Sequence, residues 1–167
     1  MHGLTGSYRV GGMYNTSNEL NNQKDIANQH DAQNRTFAGW LALEQQLTST
    51  GTGHQGLHSF ANFTWHDRIT NKVDNTQQLG LKYVGVVPQQ PNDMLGFAVN
   101  RIHVNKRLRA VKPHLNASAE YNFELNYSYQ ATPWFMLRPN LQYIIHPGAT
   151  DHVEDAFVLG LATRLMF

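Results

Sequence analysis

The chain reads as an all-β protein: a transmembrane antiparallel up-and-down β-barrel of which eight strands are present. Three observations predict it. Eight stretches of about ten residues alternate apolar and polar side chains, and successive side chains on a strand point to opposite faces. The connections between them alternate between long polar segments and shorter turns, as in barrels with long external loops and short periplasmic turns. The last stretch, residues 156–167, stays apolar on one face up to a terminal Phe167 with no polar tail. Its length suits a tilted strand crossing a bilayer.

Taken in order, residues 4–15 set Tyr8, Val10, Gly12 and Tyr14 against Arg9, Gly11 and Met13. Residues 16–35 are rich in Asn, Gln, Asp and Lys and cannot bury themselves, so they form a long solvated loop. Residues 37–47 place Leu41 and Leu43 on one face, with Trp40, Glu44 and Gln46 on the other. A Thr/Gly-rich turn leads to residues 57–66, whose two faces are less distinct, and then to a polar connection over 67–75. Residues 76–86 carry Leu79, Leu81 and Tyr83 opposite Gln78, Gly80 and Lys82. A turn framed by Pro88 and Pro91 precedes residues 93–104, where Leu95, Phe97 and Val99 oppose Met94, Gly96, Ala98 and Asn100. Residues 105–116 hold Lys106, Arg107, Arg109 and Lys112, the one concentrated basic segment, and read as a solvated loop.

The cleanest alternation follows. In residues 119–130, Tyr121, Phe123, Leu125, Tyr127 and Tyr129 oppose Glu120, Asn122, Glu124, Asn126 and Ser128. Across a tight turn at Pro133, residues 134–145 repeat the pattern with Leu137, Leu141 and Tyr143 against Arg138, Asn140 and Gln142. A polar loop over 146–155 ends at the final strand, in which Phe157, Leu159, Leu161 and Leu165 face away from Gly160, Ala162 and Arg164. Tyr14, Trp65, Tyr127, Tyr129, Trp134 and Tyr143 gather near strand ends, as in an aromatic girdle. The loops at 16–35, 67–75, 105–116 and 146–155 then lie outside, and Phe167 lies at the periplasmic end.

Composition narrows the function. Charged residues make up 15% of the chain and the net charge is +1, so no field of one sign is available to hold a nucleic acid. The absence of cysteine removes disulfides, thiolate metal sites and cysteine nucleophiles. No apolar run reaches the length of a membrane helix. The mean hydropathy of −0.48 is compatible with a barrel, because lipid-facing and lumen-facing residues average out. The first residues carry no secretory signal, so the signal has been removed or the chain is a piece of a longer protein.

By alternation the lumen face carries Arg9, Trp40, Glu44, Gln46, Asn62, Lys82, Glu120, Asn122, Glu124, Asn126, Arg138, Asn140, Gln142 and Arg164. Such carboxylates, guanidinia and amides exchange hydrogen bonds with hydroxyls, and aromatic rings offer a stacking surface. Glu120, Glu124, Arg138 and Arg164 are the foremost candidates, since they sit on consecutive strands and can pair across the wall. The alternative for each is simple charge neutralisation that stiffens the wall. Catalysis is not expected. Glu120 and Glu124 lie about 13 Å apart along a strand, too far for a glycosidase pair. Ser128 has no evident histidine beside it, and the nine histidines, His54, His58, His146 and His152 among them, show no metal spacing and belong to loops or rims. No cofactor or metal is expected.

Several runs resemble the OprB-type carbohydrate-selective porins. They include residues 56–65 (GLHSFANFTW), 79–88 (LGLKYVGVVP) with 93–98 (DMLGFA), and 119–125 (AEYNFEL). The densest likeness runs from Thr132-Pro133-Trp134 through 137–148 (LRPNLQYIIHPG) to 155–161 (DAFVLGL). The resemblance implies a sixteen-stranded outer-membrane barrel admitting small, glucose-like sugars by passive, saturable diffusion, of which these are the last eight strands. It also implies outer-membrane lipid and lipopolysaccharide as surroundings, the latter within reach of the basic 105–116 segment. The terminal strand ending at Phe167 is similar to the signal read by the barrel-assembly machinery. Two departures stand out: the N-terminal strands are absent, and Asn62 stands where many relatives carry a basic residue. An eight-stranded structural barrel without a sugar pore, a non-functional porin fragment and a barrel enzyme remain the competing readings.

Overall fold

The computed structural model describes residues 4–16, 24–28, 35–50 and 53–167. Eight strands form one antiparallel sheet in strict sequence order: β1 Gly6–Asn15, β2 Thr36–Gln46, β3 Gly56–His66, β4 Val73–Val84, β5 Met94–Val104, β6 Ala119–Thr132, β7 Phe135–Ile145 and β8 Ala156–Leu165. Every neighbour in sequence is a neighbour in the sheet, and among the described residues β1 and β8 are its two unpaired edges. At about 3.4 Å per residue and a tilt near 45°, strands of this length cover the roughly 25 Å apolar band of an outer-membrane barrel.

Register keeps the two faces separate across the whole sheet. On one face, Val10 opposes Leu41, Leu41 opposes Phe63, Leu79 opposes Val99 and Phe97 opposes Leu125. The row continues through Leu141 to Leu159. The other face runs from Arg9 and Glu44 to Gln142 and Arg164. Among the described residues only Leu108, Ala119 and Ala149 are buried hydrophobics, whereas nine polar or charged residues are buried. Leu159 is 78% exposed and Val10 75%. A water-soluble fold buries such side chains; here the apolar face meets no packing layer among the described residues and suits lipid. No helix among the described residues is long and apolar enough to cross a membrane.

β4 starts at Val73, three residues before the alternation becomes visible, because a bulge at Asp74 lets pairing resume between Val73 and Val104. The connection read as 67–75 is therefore only residues 67–72. The basic segment contains a short helix, α1, Lys106–Val111, instead of a solvated loop throughout. Asn105 caps it by accepting from the Arg107 N–H at 2.9 Å, and Leu108 is buried beneath it. Six residues with one apolar anchor are too few to show a helical period. Most of the 16–35 loop lies outside the described residues.

The longer connections interlock. Asn105, 1% exposed, donates through Nδ2 to the carbonyls of Arg68 and Asn71, both at 2.7 Å, and its N–H donates to Lys72. Arg107 donates to Asp25, and the Ile26 N–H donates to the Ile69 carbonyl, so part of the β1–β2 connection is tied to α1 and to residues 67–72. The Arg107 guanidinium beside Asp25, with the Ala27 N–H, holds that carboxyl below its usual range. At the opposite end Asp93, fully buried, accepts from the Tyr127 hydroxyl and, at 2.9 Å, from the Gln130 N–H, fixing the β4–β5 turn against β6.

Candidate functional site

The polar face of the sheet is the candidate site. Antiparallel register brings residues on adjacent strands into direct opposition, which makes it possible for charges distant in sequence to meet. Two clusters form. In the first, Lys82 Nζ lies 2.5 Å from Glu44 Oε1, and His58 Nδ1 lies 3.9 Å from the same oxygen. His58 is buried, with Nε2 2.8 Å from the His54 carbonyl, so it belongs to β3 and to this cluster. Lys82 is opposite His58 in the register, but Glu44 is two strands away. The lysine reaches across β3 because its long stem can.

In the second cluster Glu124 is a hub. Its Oε1 accepts from Arg138 at 3.0 Å and from Asn126 at 2.9 Å, while Oε2 accepts from Gln142 at 3.4 Å. Gln142 in turn accepts from Asn122 at 3.1 Å. Both ion pairs remain partly open to solvent, so their role is to fix geometry and cancel charge more than to add stability.

The four foremost candidates do not act as one group. Only Glu124 and Arg138 meet. Glu120, near the start of β6, accepts from the Gly148 N–H at 2.7 Å and so braces the β7–β8 connection. Arg164 on the β8 edge opposes Met136 and has no carboxylate within ion-pair distance among the described residues. Arg9 faces the same side as Glu44 from β1, opposite Ala42.

Glycines make room for the larger side chains of this face. Trp40, 40% exposed, lies across Gly11, where an added Cβ would come within 2.6 Å of its ring. Phe60 lies across Gly80 in the same way, at 2.3 Å. Asn126 and Asn140 cover Gly96 and Gly160. The space that these glycines leave is thus filled from the neighbouring strand. Phe60 escaped the sequence reading because its strand has mixed faces; its opposition to Gly80 is the signal that could have found it.

The chemistry on offer is hydrogen bonding. Among the described residues no group of His, Asp and Glu could hold a metal ion. Ser128 Oγ is buried without a hydrogen-bond partner and opposes Met94, so no base activates it. Asn62 donates to Gln78 at 2.7 Å and Thr64 meets Thr76 at 2.5 Å, adding neutral polar pairs to the wall.

The family described as carbohydrate-selective porin, OprB family, matches residues 1–167, the whole chain. The chain belongs to the OprB family of carbohydrate-selective porins. Porin B of Pseudomonas aeruginosa is 42% identical over 146 residues, covering 77% of this chain and 32% of that protein. QuiX of Acinetobacter baylyi is 37% identical, covering 99% of this chain and 41% of that protein. The high-pH structure of OprB from Pseudomonas putida superposes with a TM-score of 0.86 at 37% identity, over 99% of this chain and 45% of that one. The chain thus spans less than half the length of each of these relatives. The all-β class and the family resemblance read from the sequence are both borne out.

Proposed function

We propose that the chain supplies one half of an outer-membrane barrel through which small, glucose-like carbohydrates diffuse passively, with no catalysis. The observation that carries this reading is the polar wall itself: its clustered charges cancel in pairs, Glu44 with Lys82 and Glu124 with Arg138, and amides fill the space between. Such a wall offers exchangeable hydrogen bonds to an uncharged solute while holding it weakly, as permeation requires. Trp40 adds an open aromatic face on which a sugar ring can stack.

In this reading Arg9, Trp40, Glu44, Lys82, Glu120, Asn122, Glu124, Arg138, Gln142 and Arg164 face the sugar path. The four longer connections are external, the short turns and Phe167 are periplasmic, and the last strand is what the assembly machinery reads. Sixteen strands rather than eight are supported by the two open edges of the sheet and by relatives more than twice as long as the matched segment. The experiment is liposome swelling by the intact porin, comparing glucose with a cationic solute of equal size. Faster, saturable glucose entry is expected; equal entry of both, or no glucose entry, refutes sugar selectivity.

A further inference from the structure

The register aligns a row of amides that no pairwise motif reveals. Asn62 opposes Gln78, Gln78 opposes Asn100, and Asn100 opposes Asn122, so four adjacent strands present carboxamides side by side on the polar face. The row's last member donates to Gln142 on the next strand, which carries it to β7 and to Glu124. The outer members are engaged with one another: Asn62 with Gln78, and Asn122 with Gln142. The middle is not. The Asn100 carboxamide makes no hydrogen bond to the described residues, and neither does the Gln78 Nε2 amide. Asn100 is flanked by Ala98 and Ile102 on its own face, so neither neighbour can use its amide.

A half-buried carboxamide keeps two donors and an acceptor, and leaving them idle is costly unless water or a solute takes them up. Carboxamides match hydroxyls in both directions, as donor and as acceptor, and attract ions far less than charged groups do. Strands in a barrel tilt by 35–45°, so a row running perpendicular to them climbs the wall instead of circling it. Across the four intervals from β3 to β7 that climb is on the order of 12 Å, from the spacing of neighbouring strands.

We propose that the row Asn62, Gln78, Asn100, Asn122, Gln142 is a binding ramp for uncharged polyhydroxyl solutes, with Asn100 its open central subsite. The proposal rests on the sugar-channel reading and adds to it the group that distinguishes sugars from ions. A solute hydroxyl displaces water at Asn100 and is handed along the row by exchanging one amide partner for the next.

The test uses the intact porin in planar bilayers and liposomes, with glucose as the probe and potassium chloride conductance as the control. Asn100→Leu, of nearly the same size but without hydrogen-bonding groups, raises the concentration of glucose giving half-maximal flux about fivefold, the loss expected for one hydrogen bond. Ion conductance is unchanged. Asn100→Gln, which keeps the amide, retains most of the wild-type value. An unaltered half-saturation in N100L overturns the ramp, and so does a parallel fall of sugar and ion flux, which signals obstruction instead. A wild-type porin that conducts ions but passes no glucose overturns the channel reading, and the ramp with it.

Discussion

Replacing Arg138 with Met removes the guanidinium that sits 3.0 Å from Glu124 while keeping an unbranched stem of similar reach. Asn126 and Gln142 still donate to the carboxylate, so its position is retained but its charge is no longer cancelled. In water, a unit charge acting on an ion about 7 Å away contributes about 0.6 kcal/mol, roughly a threefold change in local cation occupancy. Arg138→Met is therefore expected to shift the potassium-to-chloride permeability ratio of the intact porin toward potassium by about threefold at low salt. The shift shrinks in 1 M salt, where the Debye length is only about 3 Å. Adding Glu124→Gln removes the unpaired charge and returns the ratio to the wild-type value. The assay is the reversal potential across a planar bilayer under a salt gradient. An unchanged ratio in R138M, or a shift toward chloride, refutes the idea that this pair keeps the wall neutral.

Gly80→Val should block assembly, because its Cβ would fall 2.3 Å from Phe60 and 2.7 Å from the backbone oxygen of Phe97, which cannot yield cheaply. Overpacking of this kind costs about 1–3 kcal/mol, and loss of the heat-modifiable folded band on gels would report it. Asn105→Ala removes two donated bonds and one accepted bond at a fully enclosed side chain. At about 1 kcal/mol each, the connections around α1 should become several kcal/mol less stable locally, read as faster proteolysis with the barrel band retained. Acid should loosen the same region through Asp25. Its carboxyl lies below its ordinary value of 3.8, so its contribution is complete above that pH and is lost as pH falls through the lowered folded value. Amide protection of α1 should accordingly hold down to about pH 4 and drop below it. Asp25→Asn should abolish that dependence.

Alternation made the strands legible because a residue's face depends only on its own strand. Glu44, Lys82, Glu124 and Arg138 were therefore placed on the correct face from the sequence. Their partners were not, because pairing depends on register, which is fixed jointly by the turns and by both faces of every hairpin. Arg164 looked equivalent to Arg138 by period, yet it is on the far edge opposite Met136. The amide row is the extreme case: Asn100 could be assigned a face, but its alignment with Gln78 and Asn122 requires two registers at once. The knot around Asn105 was invisible for a different reason. It is made of carbonyl groups on residues 68 and 71, and backbone acceptors leave no mark in a sequence.

The two bare edges couple folding to insertion. β1 and β8 each carry ten residues. About half of the N–H and C=O groups on each point outward in the plane of the sheet. In hydrocarbon each unmet group costs several kcal/mol, so an edge of this length opposes entry by tens of kcal/mol. No side-chain substitution on either face can remove that penalty, since it resides in the main chain. In the barrel proposed above, closure and insertion are therefore one event, with both edges paired before they meet hydrocarbon.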